Sequence, residues 1–102
     1  GWTPAHSAAV ANHGRTISLL HRAGADLRLQ DMTGSTPAHF AASSNCVQAL
    51  QAIFGCYGDP SVLSTCAHNG MAPAHMAAMF DNLEALETLH DVGVDLDIRD
   101  NA

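Results

Sequence analysis

The sequence predicts a mainly α solenoid of helix-turn-helix units, and three observations predict it. The tetrapeptide Thr-Pro-Ala-His occupies residues 3–6 and 36–39 and returns as Ala-Pro-Ala-His at 72–75. A glycine (Gly1, Gly34, Gly70) stands two residues before each copy, so the units run 1–33, 34–69 and 70–102. Each copy is followed by paired alanines and then by apolar residues at steps of three, the spacing of one helical face. Self-similarity at that period marks stacked units, each too small to bury its own apolar side.

The elements follow in order. Thr3 and Thr36 can cap a first helix through the side-chain oxygen, and Pro4, Pro37 and Pro73 fall where a helix has a backbone donor to spare. Ala8-Ala9, Ala41-Ala42 and Ala77-Ala78 let neighbouring helices approach at the short end of the roughly 8–10 Å packing range. Asn12-His13-Gly14, Ser44-Asn45 and Asp81-Asn82 then supply turn chemistry. A second helix follows, its buried stripe formed by Ile17 and Leu20, by Leu50 and Ile53, and by Leu83, Leu86 and Leu89. Gly24 and Gly93 stop it. Beyond them Leu27 and Leu29 alternate with Arg28 and Gln30, and Leu96 and Ile98 with Asp97 and Arg99, which predicts short extended arms, the first turning at Asp31-Met32-Thr33-Gly34. The middle unit departs from this plan. Gly55-Cys56-Tyr57-Gly58-Asp59-Pro60 replaces the glycine stop and brings three extra residues, read as a loop insertion of small entropic cost.

Composition narrows the function classes. At 47% hydrophobic and 14% charged residues, the chain is too apolar and too weakly charged for disorder. It has no run of about 18 apolar residues and no secretory leader, so an intracellular, cytoplasmic protein without membrane insertion is expected. Cys46, Cys56 and Cys66 are odd in number and ten residues apart, which fits reduced thiols better than disulfides or zinc. The net charge of -6, with no lysine and only Arg15, Arg22, Arg28 and Arg99, disfavours nucleic acid. That acidity is local: the three units carry +1, -1 and -6.

Catalysis and cofactors are not expected. The chain lacks a nucleophile-elbow serine pattern and a phosphate-cradling glycine loop. His6, His39 and His75 recur one repeat apart, about 10 Å, and cannot converge on one ion held by bonds of about 2 Å. Each imidazole is expected to bond within the turn that starts its own helix. Cys66 and His68 are close in sequence but make a poor metal pair. Glu84, Glu87 and Asp91 share one helix face, either a solvated convex surface or a docking patch for a basic partner.

Gly-x-Thr-Pro-x-His-x-x-Ala, followed by a helix ending in AGADLRLQD or VGVDLDIRD, resembles the ankyrin repeat, in three copies that cover the whole chain. The resemblance implies antiparallel helix pairs joined by β-hairpin-like loops, one ankyrin-repeat domain over 1–102, and a piece of a longer array. It departs from the family where Ala5, Ala38 and Ala74 replace Leu, where Ala72 replaces Thr, and where Asn12, Asn45 and Asp81 replace a turn glycine. It further implies a non-catalytic protein-interaction module that binds a protein or peptide in the groove of hairpin tips and first helices. The alternative is a regulatory or targeting segment of a larger multidomain enzyme. The matching groove positions are Trp2, Val10 and Ala11; Met32, Thr33, Ser35, Ser43 and Ser44; and His68, Asn69, Met71, Met79 and Phe80, with Tyr57 a further candidate in the insertion. End-to-end self-association is also compatible with the charge difference between first and third repeats.

Overall fold

Three helix pairs follow one another along the chain in the computed structural model, which describes residues 3–96. They are α1 (Pro4–Val10) with α2 (Gly14–Arg22), α3 (Pro37–Ser43) with α4 (Val47–Tyr57), and α5 (Pro73–Met79) with α6 (Leu83–Asp91). α1, α3 and α5 pack side by side as one layer, and α2, α4 and α6 form the second. The core between them is alanine-rich, with Ile17, Leu50, Ile53, Leu63 and Leu89 as its larger members. The predicted mainly α solenoid is the fold observed.

Each first helix opens on an extended residue followed by proline. The N–H of Thr3, Thr36 and Ala72 donates to Nδ1 of His6, His39 and His75 at 3.1, 3.0 and 2.9 Å. An Nδ1 that accepts leaves the proton of a neutral ring on Nε2. That Nε2 donates out of its own unit, from His6 to the Ser35 carbonyl (3.0 Å) and from His39 to the Met71 carbonyl (2.8 Å). The histidines therefore join repeats, where the sequence suggested bonds confined to one turn. The third repeat keeps its backbone bond without a hydroxyl, because the donor is the Ala72 N–H.

Asn12, Asn45 and Asp81 sit at φ 61°, 56° and 57°, the left-handed region that Asn and Asp tolerate best after glycine. Asn12 Oδ1 accepts the Ala49 N–H at 3.1 Å, and Asn45 Oδ1 accepts the Ala85 N–H at 3.0 Å. Each amide so fills a vacant donor at the start of the next repeat's second helix.

Several expectations need correction. Of the predicted stripe in α6, Leu89 is buried and Leu86 packs against the core, but Leu83 is 57% exposed, and Ala85 and Thr88 are buried beside Leu89. Ala78 is exposed while the other motif alanines are buried, because among the described residues α5 has a first helix, α3, on one side alone. The first arm buries Leu27 and exposes Leu29, and no strand forms among the described residues. Asp97, Ile98 and Arg99 lie outside the described residues. Gly24 and Gly93 (φ 101°) stand one residue past the caps Ala23 and Val92, where the Ala25 and Val94 N–H groups reach back to the Leu20 and Leu89 carbonyls at 2.9 Å.

The insertion is not a loop. It lengthens α4 to 11 residues against 9 in α2 and α6, ends it at Gly58 (φ 68°), and continues as a 3-10 helix, Pro60–Leu63, that buries Val62 and Leu63. Asp59 starts that turn by accepting the Ser61 N–H at 3.0 Å.

Two outcomes follow. Asn45→Ala, losing the helix cap and the short amide side chain that lets a residue tolerate left-handed backbone, should lower stability by about 2 kcal/mol, read from the urea midpoint, and Asn45→Gly, which relieves the backbone, by about half as much. Burial holds the His39 imidazole below the usual histidine range, with His6 adding to that, against the Met71 carbonyl and the Asp31 carboxylate. A lowered histidine contributes full stability above its unfolded pKa of about 6.5 and loses it as pH falls toward the folded value. His39→Gln should flatten the stability–pH curve below about pH 6.5 by up to about 1.4 kcal/mol per pH unit. An unchanged slope would contradict the buried neutral ring.

Candidate interaction surface

The chain between helix pairs rises to two tips, at residues 31–35 and 67–71. Asp31 builds the first: its Oδ1 accepts the N–H and hydroxyl of Thr33 (2.9 and 2.7 Å) and the Ser35 N–H (3.0 Å). Slight burial pushes the Asp31 carboxyl up, but the Thr33 hydroxyl, the backbone donors and nearby His6 outweigh it and hold the group below the ordinary aspartate value. The second tip repeats the backbone closure, with Asn69 accepting the Met71 N–H at 3.0 Å. The tips are fastened together by His68 N–H to the Thr33 carbonyl (2.9 Å) and by Gln30 Nε2 to the Gly34 and Cys66 carbonyls (2.8 and 3.2 Å). Gly34 (φ 82°) is obligatory, since a β-carbon there would lie 2.5 Å from the His68 ring and 2.6 Å from its backbone nitrogen.

The predicted groove residues fall into two bands. At the tips Met32 is 83% exposed, Thr33, His68 and Asn69 are exposed, and Ser35 and Met71 are half-buried. At the far ends of the first helices Val10, Ser43 and Met79 occupy equivalent positions, as do Ala11, Ser44 and Phe80. Met79 and Phe80 are 59% and 53% exposed. A seven-residue helix, about 10 Å long, separates the bands. Trp2 lies outside the described residues.

Tyr57 stands apart from both bands. Its hydroxyl accepts the Leu27 N–H at 3.0 Å and donates to Asp26 Oδ1 at 3.4 Å; its ring meets His21 edge-on at 4.9 Å and lies 5.2 Å from the Arg28 guanidinium. The inserted aromatic thereby ties the second repeat to the first repeat's arm, a contact that no spacing in the sequence signals. Asp26 is held below its usual range first by the Arg28 N–H, with Tyr57 contributing.

Sequence reasoning also missed the outer end of the third repeat. There Leu83, Leu86, Glu87, His90, Asp91 and Leu96 line an open depression of about 510 Å³. Alternation of Leu83 and Leu86 with Glu84 and Glu87 was the available signal. Of the three acids on this helix, Glu84 accepts from the Asn45 amide at 3.3 Å, while Glu87 and Asp91 line the depression. Burial pushes the Cys46 and Cys56 thiols up, which disfavours the nucleophilic thiolate. Among the described residues no three His, Cys, Asp or Glu side chains group as metal ligands, and no helix is long and apolar enough to cross a membrane.

Comparison with known proteins agrees with this architecture. The family description Ankyrin repeats, in three copies, matches residues 5–100. NF-kappa-B inhibitor alpha of Mus musculus and of Rattus norvegicus is 29% identical over 101 residues, and the p105 subunit of nuclear factor NF-kappa-B of Gallus gallus is 26% identical over 98. Each match covers 96% of this chain but only 32% of the inhibitors and 10% of p105. Ankyrin repeats are protein-interaction modules. Motif, helix-pair stacking and matched span together place the chain in the ankyrin-repeat family.

Proposed function

We propose that this chain is a non-catalytic domain that captures a partner protein or peptide across its tips and first helices, in an intracellular setting. The observation that carries the reading is the exposure of Met32, Met79 and Phe80 on the two bands, where serines, threonine and asparagine otherwise stand. Methionine and aromatic side chains left in water are adaptable or hot-spot contacts once covered. The polar neighbours, Thr33, Ser35, Ser43, Ser44, His68 and Asn69, supply the rim. NF-kappa-B inhibitor alpha is by name an inhibitor of another protein, and a binding role for the matching repeats accords with that. Cys46, Cys56 and Cys66 form no disulfide, which suits a reducing compartment.

The test is capture from a cytosolic extract on the immobilised chain, identification of what is held, and titration of that protein. Met79→Ala with Phe80→Ala should weaken binding about tenfold or more, and Met32→Ala by less, with unfolding curves unchanged because all three are exposed. Binding that survives all three substitutions at full strength would refute the assignment of the surface.

A further inference from the structure

The face made by the tips and first helices carries almost no charge. Residues 3–11, 31–44 and 67–80 hold a single acid or base, Asp31, whose Oδ1 is engaged in closing the first tip. The other charged residues stand on second helices, turns, arms and the insertion, with Arg15 and Arg22 on α2 and Glu84, Glu87 and Asp91 on α6. All four methionines of the chain and two of its three phenylalanines fall on the uncharged face: Met32 and Met71 at the tips, Phe40 on α3, and Met76, Met79 and Phe80 along α5 and its cap.

Phe40 and Met76 lie midway along α3 and α5, each one residue after its motif histidine, and so fall between the two bands. Both are half-buried, Phe40 meeting the His6 ring edge-on at 5.5 Å. Ser7 holds that position in α1 and is exposed, so the position faces outward. The same is true at the far ends of the helices: Ser44, the counterpart of Phe80, is exposed although it has a repeat on each side. Apolar side chains thus run from the tips, with Met32 83% exposed, across the middle of the first helices to Met79 and Phe80.

We propose that the occupant of this face is an amphipathic α-helix of the partner protein, laid across the first helices with its apolar side on Phe40 and Met76; the inference rests on the groove reading above and gives it a partner class. Width favours a helix. The bands are about 10 Å apart, and a helix with its side chains is about 10–12 Å across, whereas a strand takes about 5 Å and would leave one band wet. Backbone chemistry agrees. An extended segment needs main-chain partners, yet the N–H groups of Thr33, Gly34 and Ser35 already close on Asp31, and those of His68, Gly70 and Met71 on Thr33, Ala67 and Asn69. No strand edge exists among the described residues, and a helix needs none. Crossing from α1 to α5 takes two repeat steps of about 10 Å, or about 13 helical residues. The lack of charge sets the composition of the buried side: a Lys or Arg placed there would lose water and gain no carboxylate, so apolar residues at helical spacing meet the adaptable methionines.

A display library of random peptides of about 16 residues, selected on the immobilised 102-residue chain, tests this. Enriched peptides are expected to carry apolar residues at helical spacing, to become helical on binding by the Cα chemical shifts of labelled peptide, and to weaken about tenfold or more when proline replaces a central residue. Affinity should change by less than about twofold between about 0.05 and 0.5 M salt, and by as little in Glu87→Gln with Asp91→Asn. It should fall about tenfold or more in Met79→Ala with Phe80→Ala, whose unfolding curve should match the wild type because both side chains are exposed. Peptides that depend on Met79 and Phe80 yet bind extended, tolerate the central proline, dissociate in salt or need Glu87 and Asp91 overturn the helical occupant and leave the groove reading standing. A library that yields no peptide weakened by the Met79 and Phe80 substitutions overturns both.

Discussion

The Nε2–H of a motif histidine donating to a carbonyl of the following repeat is the contact on which the stack depends. One ring closes the start of its own helix through Nδ1 and reaches the neighbour through Nε2, so local capping and assembly cannot be uncoupled. The arrangement demands a neutral imidazole held in one tautomer, since a second proton would remove the acceptor at Nδ1. At His39 burial enforces that state. Among the described residues every buried side-chain nitrogen and oxygen has a hydrogen-bond partner, as polar groups in so small an interior require.

The parts of the molecule legible in the sequence were those set by local chemistry: the proline-led helix starts, the Asn and Asp turns, the glycine ends and the repeat period. What escaped depended on the neighbouring repeat. The stripe of three leucines in α6 is sound helical periodicity, yet Leu83 falls on the side that faces no other repeat. The outward bond of each histidine needs a carbonyl 29 or 32 residues away, and nothing in a motif announces its distant acceptor. The three extra residues of the middle unit read as slack chain because of Gly55 and Gly58, whereas α4 runs through the first and ends on the second. Trp2, Met32, Phe80 and their companions were chosen by family correspondence. The exposure of Met32, Met79 and Phe80 follows from the fold, but affinity does not follow from exposure.

Along the tips and first helices, isolated large apolar side chains alternate with small polar ones, and the proposed capture of a partner would cover both kinds together.

Tyr57 gives the array an uneven seam. It rivets the second repeat to the first repeat's arm through hydroxyl and ring together, and α4 packs more extensively on α2 than on α6. In a stack whose cohesion is a chain of nearest-neighbour terms, strain concentrates at the weaker junction. Cohesion between the first two repeats accordingly exceeds that between the second and the third.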